Sequence, residues 1–337
     1  MPPRSAITSL VVSCTVAAAL FYVAPGVLQV SQAEPVAAHL DRVERSGQRQ
    51  QVLHVYSAAM ERTIPVQVLT AADPGQPAPT LYLLNGASGG TDITNWYSQT
   101  DVVAFFWNQN VNVVTPVDGA FSYYTDWQRD DPALGRNRWE TFLTRELPPI
   151  IDTTLRTSGV NAIAGVSMSA TSALNLVIAA PHLYAGVAAY SGCASTSDSA
   201  GRAYVRLVLE RGDADPRNMW GPDDDPAWYD HDVVRNAEGL RGKAIYLSSG
   251  TGLPGSAEAV TGAVTADKLV TKVDQIVLGG MIEAATNACT HQLADRLTQL
   301  DIPAEVDFRP TGVHTWAYWQ EDLHKSWPLL ATALGVR

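Results

Sequence analysis

Residues 160–174 read VNAIAGVSMSATSAL, and they combine a strand, a sharp turn and the start of a helix. The apolar run ends at Gly165, helix-forming residues begin at Met168, and Ser167 lies between them in a Gly-x-Ser-x-small setting. This pattern is typical of a nucleophile elbow, in which small neighbours allow a tight turn that lifts the serine hydroxyl above the sheet. The backbone amide of Met168 then faces the place where an oxyanion would form. Ser169 stands where the literal motif has Gly.

Apolar runs and helix-forming runs alternate along the rest of the chain. We predict strands at 51–58, 63–70, 80–84, 111–117, 160–166, 184–190, 244–249, 276–278 and 304–309, and helices at 138–156, 168–180, 256–270, 282–300 and 316–334. This alternation favours one α/β domain at 51–337, with a mostly parallel sheet covered by helices on both faces. With the elbow, it predicts the α/β-hydrolase fold.

Two segments lack a clear pattern. Residues 34–50 are polar and charged, and we interpret them as a mobile or helical lead-in to the domain. Residues 194–242 form an acidic excursion that carries Trp220, Trp228 and the run 223–225 of three aspartates. Long loops inside a compact domain are usually functional lids or rims, and we expect that role here.

The composition limits the partners and the compartment. The formal net charge is −11 and the basic residues are scattered, so nucleic acid is not an expected partner. Arg4 precedes an apolar run at 7–30, and the small-x-small triplet 31–33 follows it. We therefore predict a signal peptide at 1–33 and a secreted protein, with an uncleaved membrane anchor as the alternative.

Cysteine usage agrees with export. Outside the apolar N-terminal run the chain has two cysteines, Cys193 and Cys289. An even pair in an exported chain predicts one disulfide, with two buried thiols as the alternative.

The general base is predicted from chain order. In α/β-hydrolases the histidine follows the nucleophile and lies in a loop after the last strand. Of the seven histidines, His314 meets this criterion, because it follows the strand predicted at 304–309. We therefore assign the base to His314.

The acid should come after a strand between the nucleophile and the histidine. Glu283 follows the short strand predicted at 276–278 and the turn at 279–280, whereas Asp274 precedes that strand. We favour Glu283 and keep Asp274 as the alternative. The second oxyanion amide should come from the glycine-rich loop after strand 80–84, where we choose Ala87 over its neighbour Ser88.

Several blocks together resemble one family, the antigen 85 mycolyltransferases. The resemblance spans roughly residues 53–334 and rests on YLLNG at 82–86, YTDW at 124–127, WETFLTRELP at 139–148, GVSM at 165–168 and GVHTWAYW at 312–319. The motif CTHQL at 289–293 and the glycine-rich loop at 85–90 are closer to the corynebacterial-type branch, which handles shorter mycolic acids.

The resemblance implies a function and places the family's roles on this chain. By position the nucleophile falls on Ser167, the acid on Glu283, the base on His314 and the oxyanion amides on Ala87 and Met168. The family moves a mycolyl chain from trehalose monomycolate to a second trehalose monomycolate or to arabinogalactan, and it needs no cofactor. We therefore expect a secreted, cell-envelope-associated monomer that acts on trehalose mycolate esters.

The sugar contacts depart from the family pattern. Where antigen 85 proteins hold the sugar with Asp and Arg, this chain has Asn85 and Ser88, which we expect at the substrate site. The chain has nine tryptophans, and Trp96, Trp316 and Trp319 are the candidates for sugar contact near the site.

Two other readings use the same residues. A carboxylesterase would use the same three side chains with water as the acceptor. A non-catalytic binding module on this fold would not need them. No histidine pair has metal-ligand spacing with an acid, so we expect no metal site.

Overall fold

The structure is a computed structural model that describes residues 36–259 and 266–336. The predicted signal peptide at 1–33 lies outside the described residues. From Val36 onward the chain forms one compact unit. Among the described helices, none is both long enough and apolar enough to cross a bilayer.

Nine strands form a single mixed sheet in the order β1-β2-β3-β5-β4-β6-β7-β8-β9. The β1, β2, β3 and β5 strands pair antiparallel, and the pairs from β5 through β4 to β9 are parallel. The strands are β1 His39–Arg45, β2 Gln50–Ser57, β3 Arg62–Leu69, β4 Thr80–Leu84, β5 Asn112–Pro116, β6 Asn161–Val166, β7 Tyr184–Tyr190, β8 Ala244–Ser249 and β9 Glu305–Phe308.

Helices follow the strands on both faces of the sheet. They are α1 Trp96–Gln99, α2 Val102–Phe105, α3 Trp139–Thr141, α4 Leu147–Leu155, α5 Met168–Ala179, α6 Ser199–Glu210, α7 Pro216–Trp220, α8 Ala227–Asp230, α9 Ala266–Gln299 and α10 Trp316–Leu334. One π-helical turn, Phe142–Glu146, joins α3 to α4. Single 3₁₀ turns occur at Ala237–Leu240 and Ser256–Glu258.

The central strands are buried on both faces, so each face carries its own core. In β4, Tyr82 and Leu84 pack in the cluster that holds residues of α4, α5, α6 and α9. Leu81 and Leu83 point the other way, into the cluster with α1, α2 and α10. This alternation with a period of two explains why β4 reads as a continuous apolar run. The predicted α/β-hydrolase fold is confirmed.

Three local predictions are wrong. The segment at 34–50 was expected to be mobile or helical, but within it His39–Arg45 form strand β1, which pairs with β2. The excursion at 194–242 is not one long loop, since it folds into α6, α7, α8 and the 3₁₀ turn at Ala237–Leu240. Residues 276–280 do not form a strand and turn, because α9 runs through them without a break.

Candidate active site

Ser167 lies at the turn between β6 and α5. Its backbone is left-handed, with φ 57° and ψ −122°, a conformation that costs energy for a residue with a side chain. The turn is close enough to its surroundings that a Cβ at Gly165 would lie 2.2 Å from the carbonyl oxygen of Ser169. The strain is therefore stored at the residue whose hydroxyl must stand clear of the sheet.

Ser169, at the fifth position of the motif, has a structural task. Its hydroxyl is fully buried and accepts a hydrogen bond from the amide of Val166 at 2.9 Å. The same oxygen lies 3.0 Å from the carbonyl of Val166 and 3.2 Å from that of Leu84 in β4, and its single proton can go to either acceptor. The side chain therefore holds the turn closed against the end of β4, which a glycine could not do.

Three side chains that are far apart in sequence form one hydrogen-bonded series. The Nε2 atom of His314 lies 2.7 Å from Oγ of Ser167, and its Nδ1 atom lies 2.8 Å from Oε2 of Glu283. His314 comes from the loop between β9 and α10, and Glu283 comes from the middle of α9. Ser167 is partly accessible, whereas Glu283 is fully buried.

The other carboxylate oxygen of Glu283, Oε1, is surrounded by hydrogen-bond donors. It accepts from the amide of Gly250 at 2.6 Å, from Oγ of Ser191 at 2.8 Å and from Oγ of Ser249 at 3.2 Å. The guanidinium of Arg309 lies 3.5 Å away. Burial acts to raise the pKa of Glu283, but the contact with His314 and these donors outweigh it and hold the pKa below its ordinary value. The carboxylate is thus held ionised against the imidazole.

Arg309, which lies near the Glu283 carboxylate, is itself part of a buried ion pair. Arg309 contacts Oδ1 of Asp322 on α10, and both side chains are almost completely buried. Burial raises the pKa of Asp322 to about 6, although the positive charge of Arg309 acts in the opposite direction. Arg309 therefore connects α10 to the acid of the site.

Aromatic packing fixes the imidazole from the side. The ring of Trp319 meets that of His314 edge to face, with centroids 4.8 Å apart. Its indole N–H donates to Oγ of Ser191 at 3.1 Å. Trp319 is therefore buried against the histidine rather than free to stack on a sugar.

The two predicted oxyanion amides lie on neighbouring strand ends. Leu84 of β4 pairs with Gly165 of β6, and a Cβ at Gly86 would lie 3.9 Å from Cβ of Ser167. The carbonyl of Gly86 accepts from the amide of Gly89 at 3.0 Å. Because N–H and C=O point in opposite directions across a trans peptide, the amide of Ala87 points away from that turn.

A strained loop packs over the residues that follow β4. Asp118, Phe121, Tyr123 and Tyr124 all have positive φ, between 44° and 156°. The amide of Phe121 donates to the carbonyl of Ala87 at 2.7 Å, which fixes the following peptide plane. Strain of this kind concentrates at functional sites.

Two of the residues expected to contact the sugar, Asn85 and Trp96, are fully buried. Asn85 is fully buried, donates from Nδ2 to the carbonyl of Pro116 and accepts the amide of Trp96, both at 3.2 Å. Trp96 is also fully buried, and its indole N–H donates to the carbonyl of Leu84 at 2.8 Å. Both side chains hold the loop in place and expose no surface to a substrate in this structure, so their predicted contact with substrate stays a prediction.

The other two residues expected to contact substrate, Ser88 and Trp316, are only partly buried. The hydroxyl of Ser88 lies 3.0 Å from Oγ1 of Thr94, within its own loop. Trp316, at the start of α10, is partly buried and packs edge to face on Trp96 and Trp319. Asp274, the alternative acid, lies about two and a half turns before Glu283 on the same helix.

The disulfide joins Cys193 and Cys289, whose Cα atoms are 4.9 Å apart. Cys193 follows β7, and Cys289 lies on α9 six residues after Glu283. In the chain-entropy account, a bridge that closes a loop of 96 residues stabilises the fold by about 4–5 kcal/mol. The bond also tethers the helix that carries the acid to the end of the sheet.

The supporting residues were missed, although a signal for most of them existed. Ser191, Gly250 and Arg309 each come directly after a parallel strand, at the edge where β6 delivers Ser167. Ligands and reacting groups of open α/β sheets gather at this edge.

Known proteins share this architecture. Residues 57–330 match the family model Esterase, described as "Putative esterase". The diacylglycerol acyltransferase/mycolyltransferase Ag85A of Mycobacterium leprae is 30% identical over 317 residues, covering 89% of this chain and 88% of the relative. The corresponding Ag85B of Mycobacterium intracellulare is 30% identical over 337 residues, covering 97% and 94%.

Solved structures agree on the fold. The crystal structure of Mycobacterium tuberculosis MPT51 (FbpC1) superposes with a TM-score of 0.71 at 22% identity, covering 86% of this chain and all of that one. An S-formylglutathione hydrolase from Agrobacterium tumefaciens superposes with a TM-score of 0.58 at 14% identity, covering 88% of this chain and 100% of that one.

Proposed function

This chain belongs to the esterase family and, within it, to the Ag85 diacylglycerol acyltransferase/mycolyltransferase group, and from that premise we propose that it is a serine-dependent mycolyltransferase. Family membership supports acyl-transfer or esterase-like chemistry. The proposed donor is trehalose monomycolate, and the proposed acceptor is a second trehalose monomycolate or cell-wall arabinogalactan.

The observation that carries the proposal is the hydrogen-bonded series from Ser167 through His314 to Glu283. A serine hydroxyl is a weak nucleophile until a positioned base takes its proton. Here the imidazole nitrogen that would take the proton lies 2.7 Å from Oγ, within the range for a direct transfer. The geometry therefore supports nucleophilic catalysis by Ser167.

The first half-reaction forms an acyl-enzyme. Ser167 attacks the ester carbonyl while its proton passes to Nε2 of His314, and the oxyanion accepts hydrogen bonds from the amides of Ala87 and Met168. The intermediate then collapses. The trehalose oxygen leaves with the proton from His314, and the acyl group stays on Oγ.

The second half-reaction regenerates the serine. An acceptor hydroxyl gives its proton to His314 and attacks the acyl carbonyl, and Oγ of Ser167 leaves with that proton. In both halves the ionised Glu283 stabilises the imidazolium and holds the tautomer that presents an unprotonated Nε2. The depressed pKa of Glu283 supports this role.

One observation favours a second candidate, an esterase that transfers the acyl group to water. Asn85 and Trp96, two of the expected sugar contacts, are fully buried. Fewer sugar contacts at the rim would weaken the preference for a sugar acceptor over water. The reacting side chains are the same for both candidates, so the product distinguishes them.

The test is to incubate the purified protein with a trehalose monoester, with and without added trehalose, and to analyse the products. A transferase gives trehalose diester from the monoester alone and a labelled monoester when the added trehalose carries ¹³C, whereas an esterase gives free acid in both cases. Ser167→Ala should lower either activity by at least about 10⁴-fold. Ser158→Ala, at an exposed serine in a loop, is the matched control. Appreciable turnover by Ser167→Ala would contradict the assignment.

Export belongs to the same proposal. A disulfide that persists requires an oxidising compartment, and the structure contains one between Cys193 and Cys289. We propose that residues 1–33 direct secretion and that the mature protein acts in the cell envelope. N-terminal sequencing of the exported protein tests this, with a start after residue 33 as the expected result.

A further inference from the structure

Ser191 is a strained and fully buried residue beside the candidate site. It comes directly after β7, and its φ of 51° lies in the left-handed region, which is unfavourable for a residue other than glycine. Its amide donates to the carbonyl of Ser248 at 2.8 Å, and the residue has no exposed surface. Strain of this kind persists where the surrounding structure imposes it, and neither the elbow motif nor the family roles placed above assign a task to this residue.

The Ser191 hydroxyl joins two other side chains of the site. Its oxygen lies 2.8 Å from Oε1 of Glu283 and 3.1 Å from Nε1 of Trp319. An indole N–H can only donate, so the serine oxygen accepts from Trp319 and its own proton is free for the carboxylate. The chemistry of the two partners therefore fixes the direction of both hydrogen bonds.

These contacts are part of a closed ring of four side chains. Glu283 accepts from Ser191 through Oε1, and its Oε2 lies 2.8 Å from Nδ1 of His314. The ring of Trp319 packs edge to face on the imidazole, with centroids 4.8 Å apart, and its indole N–H donates to Ser191. The four residues come from α9, the end of β7, α10 and the loop before α10. At Ser191 the support of the acid meets the support of the base.

We propose that Ser191 is a positioning residue that holds the Glu283 carboxylate and the His314 ring in the arrangement needed for proton transfer from Ser167. The inference rests on the proposed serine mechanism. The imidazole has to keep Nε2 at 2.7 Å from Oγ of Ser167 while its Nδ1 stays on the carboxylate. The hydroxyl opposes rotation of the carboxylate about its last side-chain bond, and it opposes a tilt of the indole away from the imidazole.

Ser249 offers an internal comparison for this role. Its hydroxyl also faces Oε1 of Glu283, at 3.2 Å, but the other described contact of that hydroxyl is the carbonyl of Gly250 at 3.3 Å. It therefore supports the carboxylate without connecting it to Trp319. Ser249→Ala should accordingly slow acylation less than Ser191→Ala does.

The experiment compares Ser191→Ala with Ser191→Gly, because both lack the hydroxyl and only glycine relieves the left-handed backbone. Stopped flow with a short-chain p-nitrophenyl ester gives the acylation rate at saturation and the ester concentration that gives half of this rate. The expected result is an acylation rate about 10- to 100-fold lower in both variants, because each loses a hydrogen bond to a charged group. The half-saturating concentration should not change, since the buried hydroxyl does not face the ester. Ser191→Gly should melt at a higher temperature than Ser191→Ala, so the loss of rate does not follow the loss of stability.

A second measurement monitors the contact between acid and base without turnover. In ¹⁵N-histidine-labelled protein, the proton on Nδ1 of His314 is assigned by its loss in His314→Gln. This proton lies between the imidazole and Glu283, so its exchange with water reports how often that contact opens. The exchange should be at least about tenfold faster in Ser191→Ala and in Ser191→Gly.

Ser57→Ala is the matched control. Ser57 is also fully buried, donates to Oε2 of Glu146 at 2.5 Å and accepts from the amide of Met60 at 3.1 Å, outside the site. Its hydroxyl thus bonds to the same kinds of group as that of Ser191. The acylation rate and the proton exchange of Ser57→Ala should equal those of the unmodified protein.

Each other outcome overturns the inference. An unchanged acylation rate or an unchanged exchange rate in both Ser191 variants shows that the hydroxyl does not hold the acid and base together. A rate that is lost in Ser191→Ala and restored in Ser191→Gly assigns the residue to backbone stability alone. An equal loss in Ser249→Ala removes the role of the link to Trp319, and an equal loss in Ser57→Ala indicates a general effect on the fold. If the unmodified protein forms no acyl-enzyme, the proposed function fails instead, and the exchange measurement still tests the positioning by itself.

Discussion

Replacing Glu283 by Gln should reverse the tautomer of His314 and lower turnover by about 10⁴-fold. The amide of Gln can place either its oxygen or its NH₂ group at the position of Oε1. At that position three donors converge within 3.2 Å, namely the amide of Gly250 and the hydroxyls of Ser191 and Ser249. At about 1 kcal/mol for each hydrogen bond, the oxygen is favoured there by about 3 kcal/mol, or more than about 100-fold.

The NH₂ group must then face His314. It occupies the position of Oε2, 2.8 Å from Nδ1 in the unmodified protein, and it donates where the carboxylate accepted. Nδ1 must therefore be unprotonated, and the neutral imidazole carries its proton on Nε2, facing Ser167. A base that is already protonated cannot take the serine proton. The equivalent Asp-to-Asn change in a serine protease triad lowers kcat by about 10⁴-fold with the geometry intact.

The assay is steady-state hydrolysis of a p-nitrophenyl ester, combined with ¹⁵N NMR of the imidazole to read the tautomer. Glu146→Gln is the matched control, because that carboxylate accepts from Ser57 and Ala59 outside the site. Both variants should fold. Turnover by Glu283→Gln within tenfold of the unmodified protein, or an imidazole with its proton still on Nδ1, would refute the reasoning.

Three further predictions concern stability. Ser169→Ala should lower the free energy of unfolding by about 1–3 kcal/mol, measured by urea denaturation, because it leaves a buried backbone amide without its acceptor. Replacing both Cys193 and Cys289 by Ala should cost about 2–5 kcal/mol in the same assay and should also slow turnover, because the bond tethers the helix of the acid. The pKa of Asp322 is raised to about 6, above its ordinary 3.8, so its contribution is full below about pH 3.8 and is lost as pH rises through about 6. The melting temperature of the unmodified protein should therefore fall relative to that of Asp322→Asn over this range, and parallel curves would contradict the prediction.

Much of the fold could be predicted because its elements have strong local signals. β4 and β8 are apolar runs bounded by turns, and they begin and end at the predicted residues. Helix α10 also matches its predicted bounds, Trp316–Leu334. The sequence pattern does not predict β1, because this strand lies at the edge of the sheet. Its residues are mostly exposed and polar, so no alternation of buried and exposed side chains marks it.

Glu283 was chosen for a wrong structural reason. The prediction placed it after a strand and a glycine turn, but Gly279 and Gly280 are inside α9. Glycine usually interrupts a helix, and here close packing explains Gly280, whereas a Cβ at Gly279 would make only ordinary contacts at 3.5 Å or more. The amide of His314 donates to the carbonyl of Gly279, and a Cβ at Gly280 would lie 2.7 Å from the carbonyl oxygen of Gly252. Contacts between segments distant in sequence decide such positions, and a local pattern does not contain them.

The candidate site, like the fold, could be predicted only in part. The order of serine, acid and histidine along the chain identified the three side chains that the structure brings within hydrogen-bonding reach. The burial of Asn85 and Trp96 could not be read from the sequence, because a polar or aromatic residue in a loop can face either solvent or the core. Their burial depends on Pro116 and Leu84, whose carbonyls accept from them.

The most direct measurement is intact-protein mass spectrometry after brief mixing with a trehalose monomycolate, followed by peptide mapping of the adduct. The expected result is a mass increase of one acyl group on Ser167, which disappears when trehalose is added as the acceptor. The variant Ser167→Ala should form no adduct. An acyl group on a different residue, or turnover with no covalent adduct under conditions that trap such intermediates, would contradict the mechanism at its centre.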